Sequence, residues 1–578
     1  MAMATRRKIL VIALDGATWD LLTPWMEVGK LPCLKRLCDE GATAALQSTI
    51  PPITPVAWST FMTSKNSGHT GIFDFFRPLR SQYTDLVPVV SPPRRNPTLW
   101  GILSQRGYRV GVINMPMTYP AEPVNGFLIS GVPALAQPDI AYPTEILAEL
   151  QAHGWDLTRN AAVVESSYKR YLEYLSELVA TRLEATKYLL AAKEWDAFFI
   201  HFLETDQVQH TYWRFLGDKT ADGAPHPLSH AMLQIFQQVD RGIADLVEMC
   251  GIDTDLVILS DHGMGPTSGH VYLNNWLLQE GFIKWRSSVA TTLRRWGYAI
   301  GLNPAALYRL MPSSLLRRFT LGDLRAGLAG ISTEHVGRKQ SRLRLFANRL
   351  LRLPLLSFAD VDWSRTIAYA TGPTQTGFIY INLKGREPQG IITPGEEYKQ
   401  IRNAIRRRLS QMKNPITGDL MVDQVYFGEE LYSGSYMPEA PDIIVTYRDG
   451  KFDSKHGSIF WSTSLVEPVK NANAAHRALG ILLMWSPVGS IAHCHISTAH
   501  LRDLAPTLLY LMDEAIPGDM EGHVLLDGFT DAYQSDNKPR QQDALAPAPS
   551  TPPRDESGLD PEEQEIILGH LRDLGYLD

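Results

Sequence analysis

KILVIALD, Lys8 to Asp15, followed at once by Gly16, is an unbroken apolar run that ends in an acid. A strand with one wet face alternates apolar and polar residues, whereas a run without alternation reads as a strand covered on both faces, the habit of parallel sheets. Similar runs recur along the chain: YRVGVINMP near Val110, DAFFIHFLETD from Asp196 to Asp206, DTDLVILSDHGMG from Asp253 to Gly265, and GILLMWSP from Gly480 to Pro487. Long helical stretches separate several of them, SSYKRYLEYLSELVATRLEATKYLLAAKEW before the third run and LSHAMLQIFQQVDRGIADLVEMC before the fourth. Strand followed by helix, repeated, predicts an α/β fold with a doubly wound, mostly parallel sheet. Ligands of such sheets gather beyond the carboxyl ends of the strands.

That rule selects the chemistry. Asp15 ends the first run, Asp206 and His210 lie just after the third, Asp261 and His262 end the fourth, and His476 precedes the fifth. Asp206 and His210 are four apart, so on a helix they share a face and can hold one ion. Asp261 and His262 are adjacent, and a turn at Gly263 lets both face the rim. Carboxylate and imidazole together suit Zn²⁺ or Mn²⁺ better than Mg²⁺ or Ca²⁺. Taken singly each pair is weak, since Asp-x-x-x-His arises by chance in helices and Asp-His is a common turn.

A second stretch, PPITPVAWSTFMTSKNSGHTGI from Pro51 to Ile72, adds a hydroxyl. Thr54 precedes Pro55, and AWSTFM reads as a helix whose first turn starts at that proline, which makes Thr54 the expected N-cap. The bland reading is a capping hydroxyl and nothing more. The functional reading uses the same place: a helix N-terminus offers unpaired N–H groups and positive potential to a phosphate or a forming alkoxide.

LDG at Leu14 to Gly16, the Thr54 stretch, ETDQVQH at Glu204 to His210, SDHGMGP at Ser260 to Pro266 and AHRALGILL at Ala475 to Leu483 stand in the order found in the alkaline phosphatase superfamily. The chain resembles most closely its type I phosphodiesterase and nucleotide pyrophosphatase branch, over roughly Lys8 to Leu525. LRDLAPTLLYLMDEAIPGDMEGHVL (Leu501 to Leu525) is similar to the end of that fold. DVDWSRTIAYA and INLKGREPQGIITPGEEY look like a subgroup of uncharacterised bacterial and archaeal phosphohydrolases. The resemblance implies two divalent ions, zinc first and manganese as the alternative. One would be held by Asp15, Asp261, His262 and the Thr54 oxygen, the other by Asp206, His210 and His476. It implies Thr54 as catalytic nucleophile and a small anionic phosphoester as substrate. Alternatives in the same superfamily are a phosphomonoesterase or a phosphoglycerate mutase-like enzyme; from another class, a non-catalytic metal-binding scaffold at a membrane surface. A sulfatase is disfavoured, because Thr54-Pro55-Val56-Ala57-Trp58 lacks the Cys/Ser-x-Pro-x-Arg pattern.

The chain departs from that branch at Phe75, where the resemblance expects an asparagine that contacts a phosphate oxygen; phosphate stabilisation then falls to helix N–H groups or another side chain. His69 is displaced by one position and reads as structural. His456 in SKHGS competes with His476 for the last ligand place; GILLMWSP behind His476 is the better strand. His201 and His270 default to packing or surface roles, Glu204 to a hydrogen-bond partner behind the Asp206 pair, and Asn96 and Trp100 to helix-start and packing roles.

With 578 residues, 44% hydrophobic and 20% charged, the chain has room for a large interior and several structural units. The net charge of -7 is too mild to specify a partner, but it hides an imbalance: from Lys284 to Arg352 fourteen Lys or Arg face only Asp323 and Glu334, about +12, leaving about -19 elsewhere. The expected organisation is an α/β core over 1–280, a basic helical insertion over 281–355, a smaller α+β cap region over 356–470, core again over 471–530, a Pro/Ser-rich linker over 531–558 and an amphipathic helix over 559–578. The insertion reads as a cap whose arginines recognise an anionic substrate, as a peripheral membrane contact through 284–352, or as a solvated helical piece. Four cysteines without C-x-x-C spacing, an N-terminal apolar run of about six residues and no window of ~18 apolar residues point to a cytoplasmic protein. There is no P-loop and no nucleic-acid motif, and the sequence leaves the oligomeric state open.

Overall fold

The computed structural model describes residues 7–78, 83, 86–91, 96–135, 139–158, 168–217, 219, 223–303, 355–371, 375–455, 460–469, 474–544 and 561–573. In chain order, the elements that build the site are β1 (Lys8–Leu14), β2 (Ala42–Gln47), α1 (Thr54–Thr63), β3 (Val110–Met115), β4 (Gly126–Ser130), β5 (Ala141–Tyr142), α2 (Tyr168–Ala192), β6 (Ala197–Phe202), α3 (Glu204–Tyr212), α4 (Ala231–Cys250), β7 (Thr254–Leu259), β8 (Gly263–Pro266) and α5 (Val289–Ala299). They continue as β9 (Ala368–Ala370), β10 (Gly377–Ile381), β11 (Val422–Phe427), β12 (Ile443–Tyr447), β13 (Ala474–Arg477), β14 (Leu479–Trp485), β15 (Cys494–His495), β16 (Ala499–His500), α6 (Leu504–Leu511) and α7 (Pro561–Asp573).

The main sheet runs β15-β2-β14-β7-β1-β6-β3-β4-β5, with β16 also on β2. β1 sits at its centre, parallel to β6 on one side and to β7 on the other. Its lack of alternation has the predicted cause. Leu10, Ile12 and Leu14 enter one core with α2 and α4, and Ile9, Val11 and Ala13 enter the opposite core with α1 and α6. Both faces are covered, so every position is apolar.

Two strands run against the rest: β5 at one edge and β14 between β2 and β7. The reversal of β14 matters for the site. Asp15 and Asp261 follow their strands, while His476 precedes its own; only an antiparallel strand puts that start at the rim where the others end. A third apolar core holds a separate antiparallel sheet, β9-β10-β12-β11, with Leu273, Trp276 and Phe358.

Structure continues beyond residue 530, where composition places the start of a linker: Asp531–Asp536 is helical, and Gln541–Gln542 pairs with Ile516–Pro517. α7 buries Ile567, Leu568 and Leu571 in the core of α2 and α4, so the C-terminal helix docks on its own chain. Of the basic stretch, Lys284 to Asn303 with α5 is described; 304–354, on which most of the cap reading rests, lies outside the described residues. Among the described residues no helix is long and apolar enough to cross a membrane.

Candidate active site

At the carboxyl ends of β1, β6 and β7 the chain turns sharply, and local sequence dictates how. Gly16 adopts φ 65°, a left-handed conformation natural to glycine, and its N–H donates to Asp261 Oδ1 at 3.2 Å. Thr205 Oγ1, at the start of α3, donates to the Asp15 carbonyl at 2.7 Å. α3 follows β6 almost directly, and its i,i+4 spacing brings Asp206 Oδ1 to 3.3 Å from His210 Nε2, as the spacing predicts. The antiparallel pairing of β8 with β13 sets Met264 opposite His476 and so carries His476 over the rim.

All six predicted ligand side chains and Thr54 come together. Asp15, Thr54, Asp206, Asp261, His262 and His476 are buried, and the His210 side chain keeps 32% exposure, the most of the group. His262 Nε2 lies 3.2 Å from Asp261 Oδ2, 3.6 Å from Asp15 Oδ1 and 3.5 Å from Thr54 Oγ1. His476 Nε2 lies 3.5 Å from Asp206 Oδ1 and 2.9 Å from His210 Nε2. Ligands bound at about 2.0–2.2 Å around a tetrahedral dication stand about 3–3.5 Å apart, so these separations fit a metal centre. His262 lies between the halves, within 4.8 Å of the ligand atoms of Asp15 and Asp261 and also of Asp206 and His476.

The imidazole tautomers follow from the outer nitrogens. His210 Nδ1 lies 3.1 Å from the Ala474 carbonyl, His476 Nδ1 3.0 Å from that of Pro52, and His262 Nδ1 3.1 Å from that of Gly263. A carbonyl only accepts, so each Nδ1 carries the proton and each Nε2 presents a lone pair inward. Two lone pairs at 2.9 Å repel unless a cation or proton stands between them. The carboxylates are divided in the same way. Asp15 Oδ2 is held by Trp58 Nε1 at 3.1 Å and His201 Nε2 at 2.8 Å, while buried Asp15 Oδ1 has no hydrogen-bond partner; Asp261 Oδ1 is held by Gly16, and buried Asp261 Oδ2 has none. One oxygen fixed and the other left without a donor inside the protein is costly unless a cation completes it.

Electrostatics agree. Burial and the neighbouring Asp15 push the Asp261 carboxyl well above the ordinary range, and burial with His476 pushes His262 well below it. Burial also opposes ionisation of Asp206 and His210, but each outweighs it in the other: Asp206 falls well below the usual carboxylate range and His210 rises.

Some readings change. Thr54 is the first helical residue rather than the N-cap; Ile53 takes the cap with extended backbone and no side-chain bond, which frees the Thr54 hydroxyl to face His262. His201 does more than pack, since it holds Asp15. The signal was present in AFFIHF, because an imidazole inside a strand buried on both faces must find a polar partner. Trp58, in the AWSTFM helix, shares that carboxylate. Glu204 pairs with buried Arg182 at 2.7 Å, away from the Asp206 pair. His69 stands 3.7 Å from Glu521, and His270 3.8 Å from Asp453. The Phe75 ring is packed in the core. His456 lies outside the described residues. A cleft of about 560 Å³ between the two sheets reaches His476 and Pro52, lined by Trp19, Gln375, Tyr426 and Arg477 among others.

Carboxylates, imidazoles and a helix-start hydroxyl gathered at the carboxyl ends of a mostly parallel sheet define an α/β enzyme. The profile of the type I phosphodiesterase / nucleotide pyrophosphatase family matches residues 9–317, more than half of the chain, and the protein belongs to that family. It is a hydrolase of phosphoric ester bonds. No curated protein matches it in sequence. Among solved structures, human ectonucleotide pyrophosphatase / phosphodiesterase 5 is 12% identical, with 92% of this chain and 99% of that one covered and a TM-score of 0.44. An inactive variant of the murine protein in complex with AMP is 13% identical, with 92% and 99% covered and a TM-score of 0.43. Phosphonoacetate hydrolase from Sinorhizobium meliloti 1021, in complex with phosphonoacetate, is 14% identical, with 86% and 94% covered and a TM-score of 0.46.

Proposed function

We propose that the protein is a phosphodiesterase acting on a small anionic phosphoester, with Thr54 as nucleophile and two divalent ions, zinc or alternatively manganese, held by Asp15, Asp261, His262 and Thr54 and by Asp206, His210 and His476. The observation that carries this reading is the gathering of buried carboxylate oxygens without a hydrogen-bond donor and inward Nε2 lone pairs in one cluster, with the Thr54 hydroxyl 3.5 Å from His262 Nε2. Bound dications lower the pKa of a coordinated hydroxyl and offset the charge developing on phosphate oxygens.

The chain's own groups do the rest. The first turn of α1 presents N–H groups and the positive end of a helix dipole to the phosphate, a role that Phe75 leaves to the backbone. Thr54 Oγ1 gives up its proton and forms a bond to phosphorus in line with the leaving alkoxide; that P–O bond breaks, the alcohol departs with the proton, and phosphorus remains esterified to Thr54 and to the second alcohol. Water then attacks phosphorus, the P–Oγ1 bond breaks, and Thr54 regains its proton as the phosphomonoester leaves. Trp58 and His201 keep Asp15 in one rotamer throughout.

Rates on bis-p-nitrophenyl phosphate, p-nitrophenyl phosphate and p-nitrophenyl sulfate, with zinc or manganese added, test the reading. The diester is expected to react fastest. A faster monoester rate replaces the diesterase by a monoesterase, and no rate above buffer on any ester overturns the proposal.

A further inference from the structure

α5 is turned the wrong way round for a helix on a protein in water. Val289, Leu293, Trp296 and Ile300, the last at its C-cap, are 80%, 66%, 71% and 64% exposed. At 3.6 residues per turn these four fall within an arc of about 60°. The opposite side is polar and faces the protein: Thr291 Oγ1 donates to Asp360 Oδ1 at 2.8 Å, Arg294 Nε donates to the same carboxylate at 2.9 Å, and the Tyr298 hydroxyl donates to the Ser462 carbonyl. A surface helix ordinarily buries its apolar stripe and wets its polar one. Here specific hydrogen bonds hold the reverse orientation, and a row of four large apolar side chains that includes a tryptophan is a surface built for contact.

We propose that this face of α5 lies on an anionic phospholipid bilayer, with Trp296 at headgroup depth and Val289, Leu293 and Ile300 at the acyl boundary. Charge selects this partner. Arg295 within the helix and Arg286 three residues before it are exposed, and the sequence that continues from the helix, 304–352, carries ten Lys or Arg against Asp323 and Glu334. Basic side chains near an apolar helix face add electrostatic attraction to acidic lipid headgroups, and an aromatic ring at the interface anchors it. A second copy of the chain would bring like charges together. The site's chemistry sits on a different element, so this contact fixes where the enzyme works and takes no part in bond breaking.

Co-sedimentation of the full chain with vesicles tests the contact, using phosphatidylcholine alone and phosphatidylcholine mixed with phosphatidylglycerol. Wild-type protein is expected to pellet with the mixed vesicles and to be released as salt rises. The double variant Leu293→Asp/Trp296→Asp, with an unchanged melting temperature and an unchanged rate on bis-p-nitrophenyl phosphate, is expected to partition on the order of tenfold less. Equal pelleting of variant and wild type, or equal pelleting with pure phosphatidylcholine, overturns the proposal. So does wild-type protein that stays in the supernatant, whether as a monomer, which gives the stripe to 304–354 of its own chain, or as a dimer that the double variant abolishes, which gives it to a second copy.

Discussion

Asp15 divides one carboxylate between two tasks: Oδ2 is fixed by Trp58 and His201, and Oδ1 is aimed at the cluster without a donor. Removing the fixing bond frees the carboxylate to rotate. His201→Phe, which keeps most of the ring volume, is therefore expected to weaken metal affinity by about 10–100-fold in chelator competition, and unchanged affinity contradicts the role given to His201. Thr54→Ala is expected to keep both ions and lose about a thousandfold or more in diesterase rate, as loss of a nucleophile does. Metal uptake carries a proton signature as well. In the metal-free chain burial and Asp15 raise the Asp261 carboxyl well above its ordinary range, so a proton competes with the cation for this carboxylate. Affinity then rises with pH, and calorimetry in buffers of different ionisation enthalpy should register proton release; none released contradicts it. At this scale the clustering of these side chains was legible because each stands next to a strand end or at helical i,i+4 spacing. His201 and Trp58 were harder to read, since a buried polar side chain announces a need for a partner without naming it. The position of Thr54 was missed by one residue, because Ile53, which has no capping side chain, still takes the cap backbone.

The reversed strand β14 and the antiparallel β8–β13 pair do for elements what His201 does for a side chain. Gly263 begins β8 where a Cβ would lie 2.0 Å from the Leu479 carbonyl oxygen, which leaves no room for any other residue. Gly263→Val is expected to push the β8–β13 pair off the sheet, costing about 2–4 kcal/mol of stability and carrying His476 away from Asp206. Urea unfolding together with metal stoichiometry measures both effects, and a variant that still holds two ions at wild-type stability contradicts this account of the strand pair. Strand positions were readable from their apolar runs, and helices from their periodicity. The direction of β14 was not, because a run buried on both faces looks the same whichever way it points. The inverted face of α5 lay hidden for a similar reason: periodicity gives the stripe, and only Asp360, 69 residues after Thr291 and 66 after Arg294, decides which side turns inward.

Across the whole molecule, two cores flank the main sheet and a third fills the smaller one, and the last helix closes the first of them with Ile567, Leu568 and Leu571. Deleting 545–578 uncovers those contacts and is expected to lower stability by roughly 3 kcal/mol, read as a lower urea midpoint, with the diesterase rate retained because α7 supplies no group to the rim. A truncated chain of unchanged stability contradicts the docking. The overall α/β plan was legible from alternating runs and helices; the end of the core was not, because the residues after 530 are polar in composition yet still form a helix and a strand pair. The proposed function depends on Asp15, Asp261 and His262 holding one cation, and Asp206, His210 and His476 another, with Thr54 beside them. Anomalous diffraction at the zinc edge from metal-loaded crystals tests this most directly. Two peaks, each within bonding distance of its own three side chains, is the predicted result; a single peak, or zinc bound away from these residues, contradicts it.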